Sequence, residues 1–247
     1  MRRKVRDILL VLVGTIIIAA GLKSYVVDAY KIPTDSMSGT LLPGDYIFVN
    51  KIIYGVRIPE KILFVPLPNI QLPRLRDVQQ GDIIIFNFPG EPDERYPASN
   101  QSLVKRCVAL PGDTVEIING NIIVNNYRTS NSFSQYTPQV SRFIVPFKGM
   151  NVDIDTASVY RWNVLIQREG HETAIHGDKI FIDGAVASSY SIEKNYYYVV
   201  GDNAGSSYDS RHWGFVPEDN ILGKAAMVYW SKGEDGVRWE RIGKVIK

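Results

Sequence analysis

Apolar and polar positions alternate in short runs along most of this chain, and Gly, Pro, Asn and Asp separate the runs. This pattern predicts many short strands joined by tight turns rather than βαβ units. Residues 46–51 have strand composition and follow the turn Pro43-Gly44-Asp45. Residues 83–88, IIIFNF, form a buried-strand run, and 103–110 form another that Lys105-Arg106 interrupts. Pro111-Gly112-Asp113 leads into a strand at 114–118. Asn119-Gly120 then predicts a hairpin turn into 121–127, because Asn-Gly accepts positive φ at low cost. Further strands are expected at 179–183, 196–201 and 225–230. Pro59, Pro66, Pro68 and Pro73 make 57–77 an extended excursion. Residues 89–100 and 128–150 read as irregular. A single helix is expected beyond the N-terminus, at 155–169. Asp155 would cap it, Val159, Trp162 and Ile166 would share one face, and Gly170 would end it.

One stretch departs from this pattern. Residues 8–22, ILLVLVGTIIIAAGL, carry no charge, and Arg2, Arg3, Lys4 and Arg6 precede them. A membrane span wants roughly 20 residues for a ~30 Å core. Lys23 could snorkel to the interface and extend the span to Val27, with Tyr25 and Tyr30 in the interfacial belt. The expectation is a single-pass anchor in the cell membrane, with the N-terminus cytoplasmic and the body outside, so the lipid bilayer is an expected partner. A cleaved signal peptide, with small residues at Ala19-Ala20-Gly21, leads to the same side of the membrane. A buried core helix is the third alternative.

With 247 residues, 45% hydrophobic and 22% charged, the chain can build a real core. A net charge of +2, without a Lys/Arg stripe interleaved with aromatics, argues against a nucleic-acid partner. One cysteine forbids an intrachain disulfide. His171 and His176 are five apart, one residue too many for a zinc-peptidase helix, so 171–176 reads as an ordinary loop. Cys107 and His212 would make a thiol–imidazole pair only if the fold joined them, and a buried strand thiol is the simpler reading. No metal-ligand spacing appears, and no cofactor is expected.

Three stretches could carry chemistry. Ile32-Pro33-Thr34-Asp35-Ser36-Met37 places a serine after a rigid proline, with the Thr34 hydroxyl two residues upstream. Taken alone, Ser36 reads as a turn or cap serine; as a nucleophile it needs a base. The Ser36 N–H and the Thr34 hydroxyl together would suit an oxyanion. Lys105 stands in an apolar strand run, where alternation puts Leu103, Lys105 and Cys107 on one face and Arg106 on the other. Apolar neighbours would depress its pKa, and a shift of roughly 2–3 units would leave a useful neutral fraction near pH 8. Taken alone, however, Lys105-Arg106 reads as a solvated pair on an edge strand. The stretch 201–214, GDNAGSSYDSRHWG, is dense in turn and hydrogen-bonding residues; there Ser207 could orient an amine and Asp209 could pair with Arg211.

Taken together and in order, the apolar N-terminal segment, IPTDSMSGTLLPGDYIFVNK at 32–51, LVKRCVALPGD at 103–113 and GDNAGSSYDSRHWGFVP at 201–217 resemble the bacterial type I signal peptidases (leader peptidases). The resemblance implies a mainly β protein: an N-terminal transmembrane helix, a coiled antiparallel β catalytic domain and an inserted smaller α/β subdomain. The implied boundaries are an anchor at 1–27, a catalytic core at 28–113 and 196–247, and an accessory insert at 114–195. It implies a serine endopeptidase that removes signal peptides from secretory preproteins with small residues before the cut. Ser36 would be the nucleophile and Lys105 the general base, with Thr34 and the Ser36 N–H as oxyanion hole. Ser207 would hydrogen-bond the lysine, and Asp209 and Arg211 would support the site. Ile32, Met37, Leu41, Leu103 and Val104 would line the substrate pockets. Gly39 stands where the family usually has proline. A membrane-anchored β-domain that binds a partner without catalysis remains the rival from another class. A soluble self-cleaving regulator of the repressor type would want a DNA-binding helical domain where this chain has its apolar stretch.

Overall fold

The computed structural model describes residues 4, 6–15, 26–55, 61–62, 65–66, 73–99, 101–132 and 141–247. In chain order the elements begin with helix α1 at residues 6–15. Strands β1 (Val27–Lys31), β2 (Asp45–Asn50), β3 (Lys61–Ile62), β4 (Val65–Pro66), β5 (Ile83–Asn87), β6 (Ser102–Ala109), β7 (Thr114–Ile118), β8 (Asn121–Val124), β9 (Tyr127–Ser132), β10 (Ser141–Ile144) and β11 (Asn151–Asp153) follow. Helix α2 (Val159–Arg168) precedes β12 (Thr173–His176), β13 (Lys179–Ile182), β14 (Ala185–Val186), β15 (Ser189–Ser191) and β16 (Tyr196–Val200). A four-residue helix α3 (Ser210–Trp213), then β17 (Val216–Pro217), β18 (Ile221–Gly233) and β19 (Gly236–Val237), complete the chain. The protein is mainly β.

The chain forms two compact units. The first comprises Met1–Pro33, Pro43–Val78 and Leu222–Lys247, the second Thr34–Leu42 and Gln79–Ile221. In the first, β2 pairs antiparallel with β1 on one side and β18 on the other. Alternation along β2 sends Asp45, Ile47 and Val49 inward, all at 0% exposure. An inward carboxylate needs a partner. Asp45 accepts from the Ser231 hydroxyl at 2.7 Å and from the Arg241 Nε at 2.9 Å.

In the second unit β6 pairs with β5 and β16, and β17 pairs with β16. A second sheet runs β10-β7-β8-β9, and β12-β13-β14 form a third. Residues of β6, β7, β8, α2, β13 and β16 contribute to one apolar core that includes Val115, Ile122, Ile166, Ile180 and Val200. The Asn119-Gly120 turn has the predicted positive φ at both residues, 48° and 75°. The helix occupies the inner part of its expected range. Asp155 accepts from the N–H groups of Ala157 and Ser158, one turn before α2 begins, and Gly170 adopts φ +109° just after it.

Four expectations need correction. Residues 128–150 contain strands, because Asn125-Asn126, both at positive φ, turn β8 back into β9, and β10 pairs with β7. Residues 171–176 hold β12, which pairs with β13 around a turn at Gly177, so this is a hairpin and not a plain loop. Helix α2 is not the sole helix beyond the N-terminus: Asp209 caps α3, accepting from the Arg211 N–H while the His212 side chain accepts from the Asp209 N–H. Finally, the apolar span does not extend to Val27, since Val26 is a turn and Val27 opens β1. The rest of that expected span falls on α1 and on residues 16–25, which lie outside the described residues. No helix among the described residues is long and apolar enough to cross a membrane.

Candidate active site

Ser36 lies in a tight turn that leads from the rigid Pro33 into the helical bend at 37–41. Ser38 N donates to the Asp35 carbonyl at 2.8 Å, and Leu41 N donates to the Met37 carbonyl at 2.9 Å. The side chain of Ser36 is buried at 8% exposure, and Lys105, on the inward face of β6, is buried at 4%. The two meet. Lys105 Nζ is 2.7 Å from Ser36 Oγ, although 69 positions separate them in the chain. Thr34 Oγ1 lies 3.4 Å from the same oxygen. Among the described residues the Ser36 N–H has no hydrogen-bond partner.

Burial strips the Lys105 ammonium of water and pulls its pKa down to about 8. Asp209, Asp202 and Asp35 oppose that effect, while Arg211 reinforces it. Burial works against the charge of Asp209, but the Arg211 guanidinium together with the Gly201 N–H and Ser207 holds the carboxyl below its usual range. Arg211 Nε donates to Asp209 at 2.7 Å, and Gly201 N donates to the same carboxylate at 3.0 Å. Arg211 further donates to the carbonyls of Ala204 and Ser207, at 2.9 and 3.1 Å. Asp209 and Arg211 therefore shape 201–211 around themselves.

The remaining expected site residues divide. Ser207 Oγ is buried near the Asp209 carboxylate, and among the described residues no hydrogen bond joins it to Lys105. Ile32, Met37 and Leu41 are buried at 3, 1 and 0% exposure. Leu103 and Val104 are half-buried and offer surface. Cys107 and His212 do not meet; the thiol is fully buried, and desolvation pushes its pKa far up. His171 is engaged by Asp183 at 2.6 Å and Glu193 at 3.0 Å, which together raise its pKa.

Sequence reasoning missed the groups that lock the serine turn to the lysine strand. Arg106, on the face opposite Lys105, donates from Nε and Nη2 to Asp202, each at 2.7 Å. Thr40 donates to the same carboxylate at 2.6 Å and accepts from Arg106 at 3.1 Å. Asp35 accepts from the Ser206 hydroxyl at 2.9 Å and from Asn203 Nδ2 at 3.3 Å, and Asn203 N donates to the Ser36 carbonyl at 3.0 Å. Gly201 permits the approach: a Cβ there would lie 2.4 Å from the Ser36 carbonyl oxygen and 2.2 Å from Ser207 Oγ. The polar density of 201–214 was the only signal, and it does not reveal which partners each residue takes.

One edge is open beside the pair. β16 pairs with β6 only from Arg106 onward, whereas β5 pairs along Ser102–Arg106. One backbone edge of residues 102–105 thus carries no strand among the described residues.

Residues 5–230 match the family model described as signal peptidase, peptidase S26. A signal peptidase I from Aquifex aeolicus is 29% identical over 250 residues, covering 94% of this chain and 85% of that protein. One from Buchnera aphidicola subsp. Schizaphis graminum is 31% identical over 258 residues, covering 91% and 76%. Another, from Buchnera aphidicola subsp. Baizongia pistaciae, is 30% identical over 268 residues, covering 93% and 80%. A family match across most of the chain, with relatives of this identity and coverage, makes the chain a member of the signal peptidase I family of serine endopeptidases, peptidase S26.

Proposed function

We propose that Ser36 is the nucleophile and Lys105 the general base of a membrane-held endopeptidase that removes signal peptides from secretory preproteins. The observation that carries this reading is the 2.7 Å contact between Lys105 Nζ and Ser36 Oγ inside a buried site. A neutral amine there can take the serine proton as the hydroxyl attacks a peptide carbonyl. The unpartnered Ser36 N–H and the nearby Thr34 hydroxyl would hold the developing oxyanion. The leaving amine departs with a proton from Lys105. Lys105, again neutral, then activates water to hydrolyse the Ser36 ester and release the processed chain. Asp209 and Arg211 brace the loop and set the charge around the base. Ser207 would orient the amine once its hydroxyl rotates toward it.

The precursor would add as a strand along the open edge of 102–105, in backbone hydrogen bonds. Leu103 and Val104 would present the shallow pockets that admit small side chains. Met37 and Leu41 are proposed to line them as well. We further assign residues 28–113 and 196–247 to the catalytic core and 114–195, with its separate sheets and α2, to the accessory insert. Six successive apolar side chains, Ile8 to Val13, are 45–68% exposed on α1. A helix that is apolar all round needs an apolar solvent, which supports a single-pass anchor with the basic N-terminus in the cytoplasm.

The test is cleavage of a preprotein with an Ala-x-Ala site by the full chain in nonionic detergent, comparing wild type with Ser36→Ala and Lys105→Ala. Loss of cleavage in both folded variants is expected. Cleavage that survives in both refutes the dyad. A wild type that binds the precursor without cutting it would favour a binding role.

A further inference from the structure

The second unit contains a cleft of about 740 Å³ between α2, β10 and the segment 210–215. Neither Ser36 nor Lys105 lines it, although Arg211 stands in its wall. Its size falls within the ~300–1,000 Å³ of small-ligand sites. Among the described residues four arginines line it, Arg142, Arg161, Arg168 and Arg211, and no carboxylate does.

The arginines differ in availability. Arg168 is spent on the carbonyls of Glu91 and Glu94, at 2.6 and 2.9 Å. Arg211 is spent on Asp209. Among the described residues Arg142 makes one ion pair, to Glu116 at 3.2 Å, with its side chain 70% exposed. Arg161 is exposed on α2, and its side chain has no hydrogen bond or ion pair to any described residue. The walls are apolar. Phe143 and Phe215 meet edge to face at 5.6 Å, and Trp162 is half-buried beside them on the core. Few other polar groups face the space, and two of those are occupied: the Tyr196 hydroxyl donates to Glu169, and the Ser210 hydroxyl accepts from Val199 N. A ligand with many donors would find few acceptors here. A single anionic head on an apolar body matches both the unpaired Arg161 and exposed Arg142 guanidinium groups and the aromatic walls, the Arg142 pair to Glu116 lying outside the cleft lining.

We propose that this cleft binds an anionic amphiphile, its carboxylate or phosphate head held by Arg142 and Arg161 and its apolar body lying along Phe143, Trp162 and Phe215. The head would gain charge-assisted hydrogen bonds from guanidinium groups that are not neutralised inside the cleft. The body would cover aromatic surface otherwise left to water.

The experiment is photolabelling of the full chain in nonionic detergent with a diazirine-bearing myristate, mapped by mass spectrometry. Adducts are expected on peptides covering 141–150 and 159–168. They should fall roughly tenfold or more in the Arg142→Glu/Arg161→Glu double variant, the effect of losing charge-assisted hydrogen bonds. Labelling of the apolar N-terminal peptide should not change, and a diazirine-bearing tetradecanol should leave the cleft unlabelled. Arg161→Gln alters one exposed side chain that makes no side-chain hydrogen bond or ion pair among the described residues. It keeps the test valid if the double variant melts early by circular dichroism, and should itself reduce the adducts. Suppression by added phosphatidylglycerol assigns the occupant to a lipid headgroup; suppression by unlabelled myristate alone assigns it to a free acid. Absence of cleft adducts, equal labelling by the alcohol, suppression by neither competitor, or labelling that survives in both variants would overturn the proposal.

Discussion

The pH dependence of cleavage is the most direct consequence of the site's construction. Lys105 works as a base only when neutral, and burial brings its pKa to about 8. At that value about 9% of the amine is neutral at pH 7 and about 91% at pH 9. kcat/KM should therefore climb roughly tenfold between pH 7 and 9 and level off above. An ordinary lysine near 10.4 would give a roughly hundredfold rise over the same interval, with no plateau. Asp35 supplies the second arm. Its carboxylate favours the charged amine, so Asp35→Asn should move the ascending limb to lower pH. Asparagine keeps an acceptor for Ser206, so the turn should hold. The assay is steady-state cleavage of a fluorogenic Ala-x-Ala peptide under conditions where kcat/KM is measured directly, with stability checked at each pH. An unbroken hundredfold rise, a flat profile, or a shift of the Asp35→Asn limb to higher pH would refute the reasoning.

Other consequences can be checked alongside. Lys105→Met should be inactive yet more stable at pH 7 by about 2 kcal/mol, the ~3 kcal/mol cost of burying the amine less ~1 for the lost hydrogen bond. Because the folded pKa lies below the unfolded one, wild-type stability should rise between about pH 8 and 10.4, and the advantage of Lys105→Met in denaturant titrations should shrink over that window. Gly201→Ala forces a Cβ against the Ser36 carbonyl and should lower kcat at least tenfold, with the chain still folded by circular dichroism. Gly39→Pro, toward the family's usual residue, should reduce activity and lower Tm, because Gly39 has φ +111° and proline is confined near −65°; a fully active, equally stable variant would show that the turn has a second conformation open to proline.

Much of this fold was legible because its signals are local. Asn119-Gly120 chooses the hairpin through two left-handed residues, and strand alternation turns Lys105 inward with Cys107. The helix at 159–168 was found for the same reason, its apolar spacing being that of a helical face. The errors have the opposite character. β12 is a poor strand sequence with mostly exposed residues, and it exists because a turn at Gly177 offers it β13. The clamp of Thr40, Arg106 and Asp202 joins residues 66 to 162 positions apart. Nothing in the neighbourhood of Arg106 announces its carboxylate. Strand alternation places Arg106 opposite Lys105, but it cannot tell a solvated guanidinium from one that anchors the serine turn.

The clamp and the dyad place opposite demands on adjacent residues of one strand. Lys105 must lie where water is scarce, or its proton would hold too tightly for base catalysis. Arg106 must carry a charge, because it fastens the turn of Ser36 through Asp202. Asp202 in turn adds a negative field that raises the pKa of Lys105, as Asp209 and Asp35 do. Three carboxylates around a base would undo the effect of burial if nothing balanced them. Arg211 supplies part of that balance: paired with Asp209, it tempers the strongest of the three and acts on Lys105 in the same direction as burial. The loop 201–211 can therefore hold the serine turn with charged hydrogen bonds, which are strong and directional, and still leave a lysine that loses its proton near pH 8.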